Sequence, residues 1–213
     1  MIPWMRDLSK EFLQTFYLRD NFMWRLPGDV NNAISLTFDD GPDPRYTPAI
    51  LEMLARHDVK ATFFMIGNNV ERYPQIVREI AERGHALGGH TQTHCVIVKL
   101  PRRQLEDELG RCRAVIQDAT GVDTRLFRPP RGQVSFASVR QVAQLGYRLV
   151  HWSKTFSDYR CDSTQNLLNR IQQGSVRNRD ILLFHDTNLH TVEALSDVIP
   201  RWQSSGFRFH VCA

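Results

Sequence analysis

What this 213-residue chain lacks already removes several classes of protein. No stretch approaches the roughly 20 consecutive apolar residues that a bilayer crossing requires, so no transmembrane span is expected. The four cysteines, Cys95, Cys112, Cys161 and Cys212, never form a C-x-x-C pair. Zinc knuckles and thiol–disulfide motifs are therefore not suggested, and free thiols in a reducing compartment are the expectation. Basic clusters are missing as well: 27 Lys and Arg face 23 Asp and Glu, and they are scattered rather than run together with aromatics. Nucleic acid is thus not an expected partner, while a net charge of +4 leaves room for an anionic one. There is no low-complexity tract, no long Pro/Gly/Ser linker and no repeat of solenoid period, so one domain is expected. With 42% hydrophobic residues it has enough apolar side chains for a substantial core.

The N-terminal stretch MIPWMRDLSKEFLQTFYLRDNFMWRLPGD also lacks something. Asp7, Lys10 and Glu11 interrupt the apolar core that an export signal needs, which points to a cytoplasmic protein. Met5, Leu8, Phe12 and Phe16 recur near helical spacing, with Trp4, Tyr17, Phe22 and Trp24 nearby. Residues 1–32 thus read as a helical or extended cap. It would rest on the core or, peripherally, on the inner face of a membrane.

From residue 33 to 213 strand and helix signals alternate. Strand-like runs are Ala33–Phe38, Ala61–Ile66, His85–Gly89, Leu126–Phe127, Tyr147–Trp152, Ile181–Phe184 and Phe207–Val211. Thr47 with Pro48, and Pro101, read as helix starts, and Gly84, Gly146, Gly174 and Gly206 as helix ends. Such alternation predicts an α/β fold with about seven parallel strands, open or closed into a barrel. Ligands of both architectures bind at the carboxyl ends of the strands.

Those ends carry the chemistry. Asp39 and Asp40 close the first run, HTQTH (His90 to His94) follows the third, and RPPRG (Arg128 to Gly132) the fourth. WSKTFSDY, with Asp158, follows the fifth, and LLFHD, with His185 and Asp186, closes the sixth. Two imidazoles four residues apart can share one face of a helical turn, and a carboxylate from another strand would complete a three-ligand metal site. Neighbouring residues of a regular strand face opposite ways, so Asp39 and Asp40 enter one site only if the chain turns irregularly at Gly41 and Pro42. Two carboxylates so close also need cations, which a metal on one and Arg128 beside the other would supply.

Taken in order, TFDDGP, HTQTH, RPPRG, SDY and LLFHD resemble the polysaccharide deacetylases, the NodB-homology family of carbohydrate esterases, and the resemblance runs from about Ile34 to Val211. It implies a distorted, incomplete (β/α) barrel and metal-dependent removal of an N-acyl group, usually acetyl, from amino sugars. Residue by residue, it implies Asp39 as general base and Asp40, His90 and His94 as ligands of a divalent metal, zinc or else cobalt. It implies His185 as general acid, Arg128 as the partner orienting Asp39, and Asp158 as the partner of His185. Leu182 corresponds to an apolar wall of the acyl pocket, and Pro130, Arg131 and Tyr159 to substrate contacts. The N–H after Pro130 would receive the oxyanion.

The sequence departs from the family at Arg131 and Tyr159, where aromatic residues, the second a Trp, are common, and at Thr155, where an Asp is common. Arg131, with Arg45 and Lys154 in neighbouring rim loops, suits a phosphate or carboxylate. An anionic or lipid-linked precursor inside the cell fits that feature and the missing export signal. Two other classes keep part of the pattern. A non-haem iron oxygenase would use the metal triad but leave Asp39, Arg128 and His185 without a role. An inactive glycan-binding module would lose the base or the acid, and this chain has both.

Overall fold

A computed structural model of the chain describes residues 21–212. The segment holding Met5, Leu8, Phe12 and Phe16 lies outside those residues. The apolar, β-branched run ahead of the paired aspartates forms β2 (Ala33–Asp39), buried along its whole length. Complete burial is what a strand covered on both faces of a parallel sheet requires. On one side β2 pairs in parallel with β3 (Thr62–Met65), which continues through β4 (Ala86–Gly89), β5 (Leu126–Phe127) and β6 (Arg148–Val150) to β1 (Phe22–Met23). On the other it pairs with β8 (Ile181–His185), and β8 with β7 (Lys154–Thr155). A last strand, β9 (Arg208–Phe209), takes the first two residues of β2. The order β1-β6-β5-β4-β3-β2-β8-β7 leaves both ends unjoined, so the sheet is an incomplete barrel, as expected.

Among the described residues, β1 and β7 are additions to the seven strands read from the sequence. Each has only two residues and lies at an edge of the main sheet. Through β1, Phe22 and Met23 become part of the main sheet.

The connecting helices are α1 (Thr47–Arg56), α2 (Gly67–Arg72), α3 (Pro74–Glu82), α4 (Arg102–Thr120), α5 (Phe136–Gln144), α6 (Thr164–Gln173) and α7 (Leu189–Ser204). Gly84, Gly146 and Gly206 adopt positive φ after α3, α5 and α7, as a left-handed helix exit demands, whereas Gly174 does not. No helix of the described residues is long and apolar enough to cross a membrane.

The pleat sorts β2 by alternate residues. Ile34, Leu36 and Phe38 join Leu182 and Phe184 of β8 and the apolar faces of α1 and α7 in the core between sheet and helices. Ala33 packs on the opposite, inner face with Met23, Phe64, Val150 and Ile181. Ser35, Thr37 and Asp39 share that inner face, so a line of polar side chains climbs from an apolar floor toward the carboxyl rim.

Candidate metal and catalytic site

Asp39 is the last residue of β2 and is only 3% exposed. Asp40 then leaves the strand at φ +77°, in the left-handed region, and this reversal brings the second carboxylate to the same side as the first. The turn tolerates no side chain at its next residue, because a Cβ on Gly41 would lie 2.1 Å from Asp186 Oδ2. Asn69 Nδ2 donates to the Asp40 carbonyl at 2.9 Å, and Ile66 N to the Gly41 carbonyl at 3.0 Å. The irregular strand end inferred from Gly41 and Pro42 is thus present and anchored.

His90 and His94 approach Asp40 from the segment after β4. That segment is not a helical turn: Thr91 and His94 both have φ of +62°, and the chain forms an irregular loop. Its shape comes from outside ties. Gly67 N and Asn68 N donate to the carbonyls of Thr91 and Gln92, while Thr93 donates to Glu108 through both its N–H and its hydroxyl. The rings still converge, with centroids 5.1 Å apart. His94 Nε2 lies 3.2 Å and His90 Nε2 3.5 Å from Asp40 Oδ1, and one donor atom from each residue falls within 4.8 Å of the others.

The donor set suits a divalent cation. His90 Nδ1 sits 2.7 Å from the Arg128 carbonyl, which fixes that nitrogen as the N–H donor and leaves Nε2 with its lone pair toward Asp40. Burial holds the His90 ring below its usual pKa, against the pull of Asp39 and Asp40, and so favours the neutral, ligating form. Burial alone would raise Asp40; the hydrogen bond with His94 and the charges of the three histidines outweigh it and keep the carboxylate below its ordinary range.

Arg128 is completely buried, which demands that its guanidinium be satisfied on every side. Nη1 donates to Asp39 Oδ1 at 2.8 Å and to Thr37 Oγ1 at 2.7 Å; Nε reaches the Val150 carbonyl at 3.2 Å and Nη2 the His151 carbonyl at 3.3 Å. The Phe64 ring lies beneath, 4.1 Å from Cζ. One oxygen of Asp39 is therefore occupied, and the other, Oδ2, faces His90 Nε2 at 3.9 Å.

His185 is the last residue of β8 and the register partner of Asp39. Its Nδ1 is 2.8 Å from Asp158 Oδ1, and Asp158 Oδ2 accepts from the His185 backbone N–H and from Thr191 Oγ1. Nε2 faces Asp40 Oδ2 at 3.9 Å. Burial would lower the His185 pKa, but the hydrogen bond and charge of Asp158, with Asp39 and Asp40 nearby, push it up to about 9.

Of the residues expected to contact substrate, Tyr159 is exposed and meets the His185 ring edge-on at 5.3 Å. Pro130 is buried, and Arg131 after it is exposed, at φ +59°, with no ion pair among the described residues. Leu182 does not reach the site. It is the register partner of Leu36 and packs in the core between sheet and helices. The inner position is Leu183, the partner of Thr37, two residues before His185 and 5% exposed. A period of two counted back from His185 would have selected it. Lys154 is likewise displaced from the rim: it pairs with Leu182 and packs its amine near Gly174. Arg45 is held beside Asp43 and over Tyr46. Sequence reading gave no site role to Thr37, His151 or Asp186. His151 brings Nε2 to 3.3 Å from the Gly132 carbonyl. Thr47 Oγ1 donates to Asp186 Oδ2 at 2.5 Å, and burial pushes Asp186 up to about 7.

Residues 29–150 match the family model described as "Polysaccharide deacetylase", more than half of the chain. This chain belongs to the polysaccharide deacetylase family. A Bacillus cereus peptidoglycan-N-acetylglucosamine deacetylase is 32% identical over 95% of this deacetylase-family chain and 94% of its own length. A chitooligosaccharide deacetylase of a Bradyrhizobium species is 32% identical over 94% of this chain and 96% of its own. Among solved structures, a family pseudoenzyme from Bacillus anthracis superposes with a TM-score of 0.83 at 27% identity, over 92% of this chain and 68% of that one. Fold alone therefore does not carry activity in this family, and the individual side chains decide.

Proposed function

We propose that this protein is a metal-dependent deacetylase that hydrolyses the N-acetyl group of N-acetylglucosamine residues in a glycan. The observation carrying this reading is the arrangement around Asp40, His90 and His94: Asp39, held by Arg128, faces His90 at 3.9 Å, and His185, held by Asp158, faces Asp40 at 3.9 Å. A divalent ion held by the triad, zinc or cobalt, would polarise the acyl carbonyl and acidify water. Asp39 Oδ2 is the acceptor for the proton of the attacking water, since Oδ1 is engaged by Arg128. The new C–O bond forms at the carbonyl carbon, and the N–H of Arg131 is the donor we assign to the oxyanion. His185 Nε2 delivers a proton to the amide nitrogen, the C–N bond breaks, and acetate and a free amine leave. Asp158 balances the charge of the imidazolium. Leu183 supplies the apolar wall for the acetyl methyl.

N-acetylglucosamine is the unit named in the activity of the Bacillus cereus relative and the building block of chitooligosaccharides, and that is why we assign it. Arg131 gives the rim an exposed cation next to the assigned oxyanion donor, which supports a glycan or precursor bearing a carboxylate or phosphate. The test is acetate release from chitooligosaccharides and from peptidoglycan fragments. Turnover should disappear after treatment with a chelator and return with Zn²⁺ or Co²⁺. Full turnover by rigorously metal-free protein would contradict the mechanism, and no acetate from either glycan would contradict the substrate.

A further inference from the structure

The inner face of β2 places a hydroxyl one step below the base. Thr37 is fully buried, two residues before Asp39 and on the same face of the strand. Its Oγ1 donates to the Leu182 carbonyl at 2.7 Å and accepts from Arg128 Nη1 at 2.7 Å. A hydroxyl has one hydrogen. With that hydrogen committed to Leu182, the lone pairs turn toward the guanidinium, so β8 sets the polarity of the contact. Arg128 Nη1 divides its two hydrogens between Thr37 and Asp39.

From this geometry we infer that Thr37 is a positioning residue for deacetylation, locking the guanidinium that aims the Asp39 carboxylate. The inference rests on Asp39 being the base, as proposed above. The contacts of Arg128 with the Val150 and His151 carbonyls fix its Nε and Nη2 edge. Thr37 fixes the opposite corner, the one that touches Asp39. Without it Nη1 retains a single acceptor in a site closed to water, and the fork can tilt about its remaining anchors. A tilt there moves Asp39 Oδ2 relative to the attacking water while leaving Asp40, His90 and His94 in place.

Thr37→Val keeps the β-branched shape and removes only the hydroxyl function. It should lower kcat by about 10- to 100-fold, the scale of a small misplacement of a catalytic group, with KM and zinc stoichiometry near those of wild type. Thr37→Ser, which retains the hydroxyl, should recover most of the turnover. In an Arg128→Gln background Thr37→Val should cost little more, because the partner it acts through is gone. If the Val variant does not fold, Thr37→Ala is compared with Thr37→Ser in its place. Wild-type turnover in Thr37→Val, a Ser variant as impaired as the Val variant, or a full additional loss in the Arg128→Gln background would each overturn the inference. Asp39→Asn, assayed alongside, separates the two levels. If Asp39→Asn is as active as wild type, the base assignment fails and the role of Thr37 with it. If Asp39→Asn is inactive while Thr37→Val is normal, only Thr37 is reassigned.

Discussion

Adjacent and chemically identical, Asp39 and Asp40 differ in everything that surrounds them. One ends a strand against a buried guanidinium; the other turns out at positive φ to meet two imidazoles. The same logic separates the histidines, since burial keeps His90 neutral whereas Asp158 keeps His185 charged. His185, raised from an ordinary value of 6.5 to about 9, contributes stability that is complete below the unfolded pKa and is lost as pH rises through about 9. The catalytic consequence has the same sign: kcat/KM should fall on the alkaline side as the acid loses its proton, at or below that value. A cation on Asp40 would shift the limb downward. Asp158→Asn removes the hydrogen-bonded charge that raises His185 and should move the limb further toward neutrality. A pH–rate profile in which both proteins share one alkaline limb would assign the acid to another group.

At the scale of elements, β8 shows how one register step decides function. Leu182 and Leu183 are both nearly inaccessible, yet one faces the helices and the other the site. Leu182→Ala should cost about 2–5 kcal/mol of stability through the cavity it opens, with the kinetics of the folded enzyme little changed. Leu183→Ala should instead raise KM for N-acetyl substrates. Thermal melts and steady-state kinetics on the pair distinguish these outcomes, and the opposite pattern would restore Leu182 to the pocket. The motifs made Asp39, Asp40, His90, His94, Arg128, Asp158 and His185 legible in the sequence, because charged and imidazole residues at buried strand ends have few other uses. The loop path between His90 and His94 was not legible. Its positive φ values are imposed by Gly67, Asn68 and Glu108, which are distant in sequence. Thr37 was hidden for a related reason: as a β-branched residue in a strand it looks like strand propensity, and only its contact with Arg128 reveals another role.

Across the whole molecule, a parallel sheet left open between β1 and β7 gathers the ends of β2, β4, β5 and β8, with the turn after β7, on one rim. Alternating strand and helix signals predicted a parallel sheet with its chemistry at the carboxyl ends, and the family resemblance its incomplete barrel, whereas the edge strands β1 and β7 were read from neither and pair with β6 and β8. The floor of the inner face is apolar and the polar groups above it are buried, so the charged groups at the rim lean on one another rather than on water. The family includes a pseudoenzyme of closely similar fold, so the central claim is that this chain's base and metal triad act together. The most direct measurement is acetate released from N-acetylglucosamine oligomers by wild type, Asp39→Asn and Asp40→Asn, each with its zinc content determined. Wild type should release acetate and free amine in equal amounts. Asp39→Asn should bind zinc fully yet turn over about 100-fold or more slowly, the scale of a lost general base, and Asp40→Asn should lose both zinc and activity. Undiminished acetate release by zinc-loaded Asp39→Asn, or full zinc occupancy in Asp40→Asn, would contradict it.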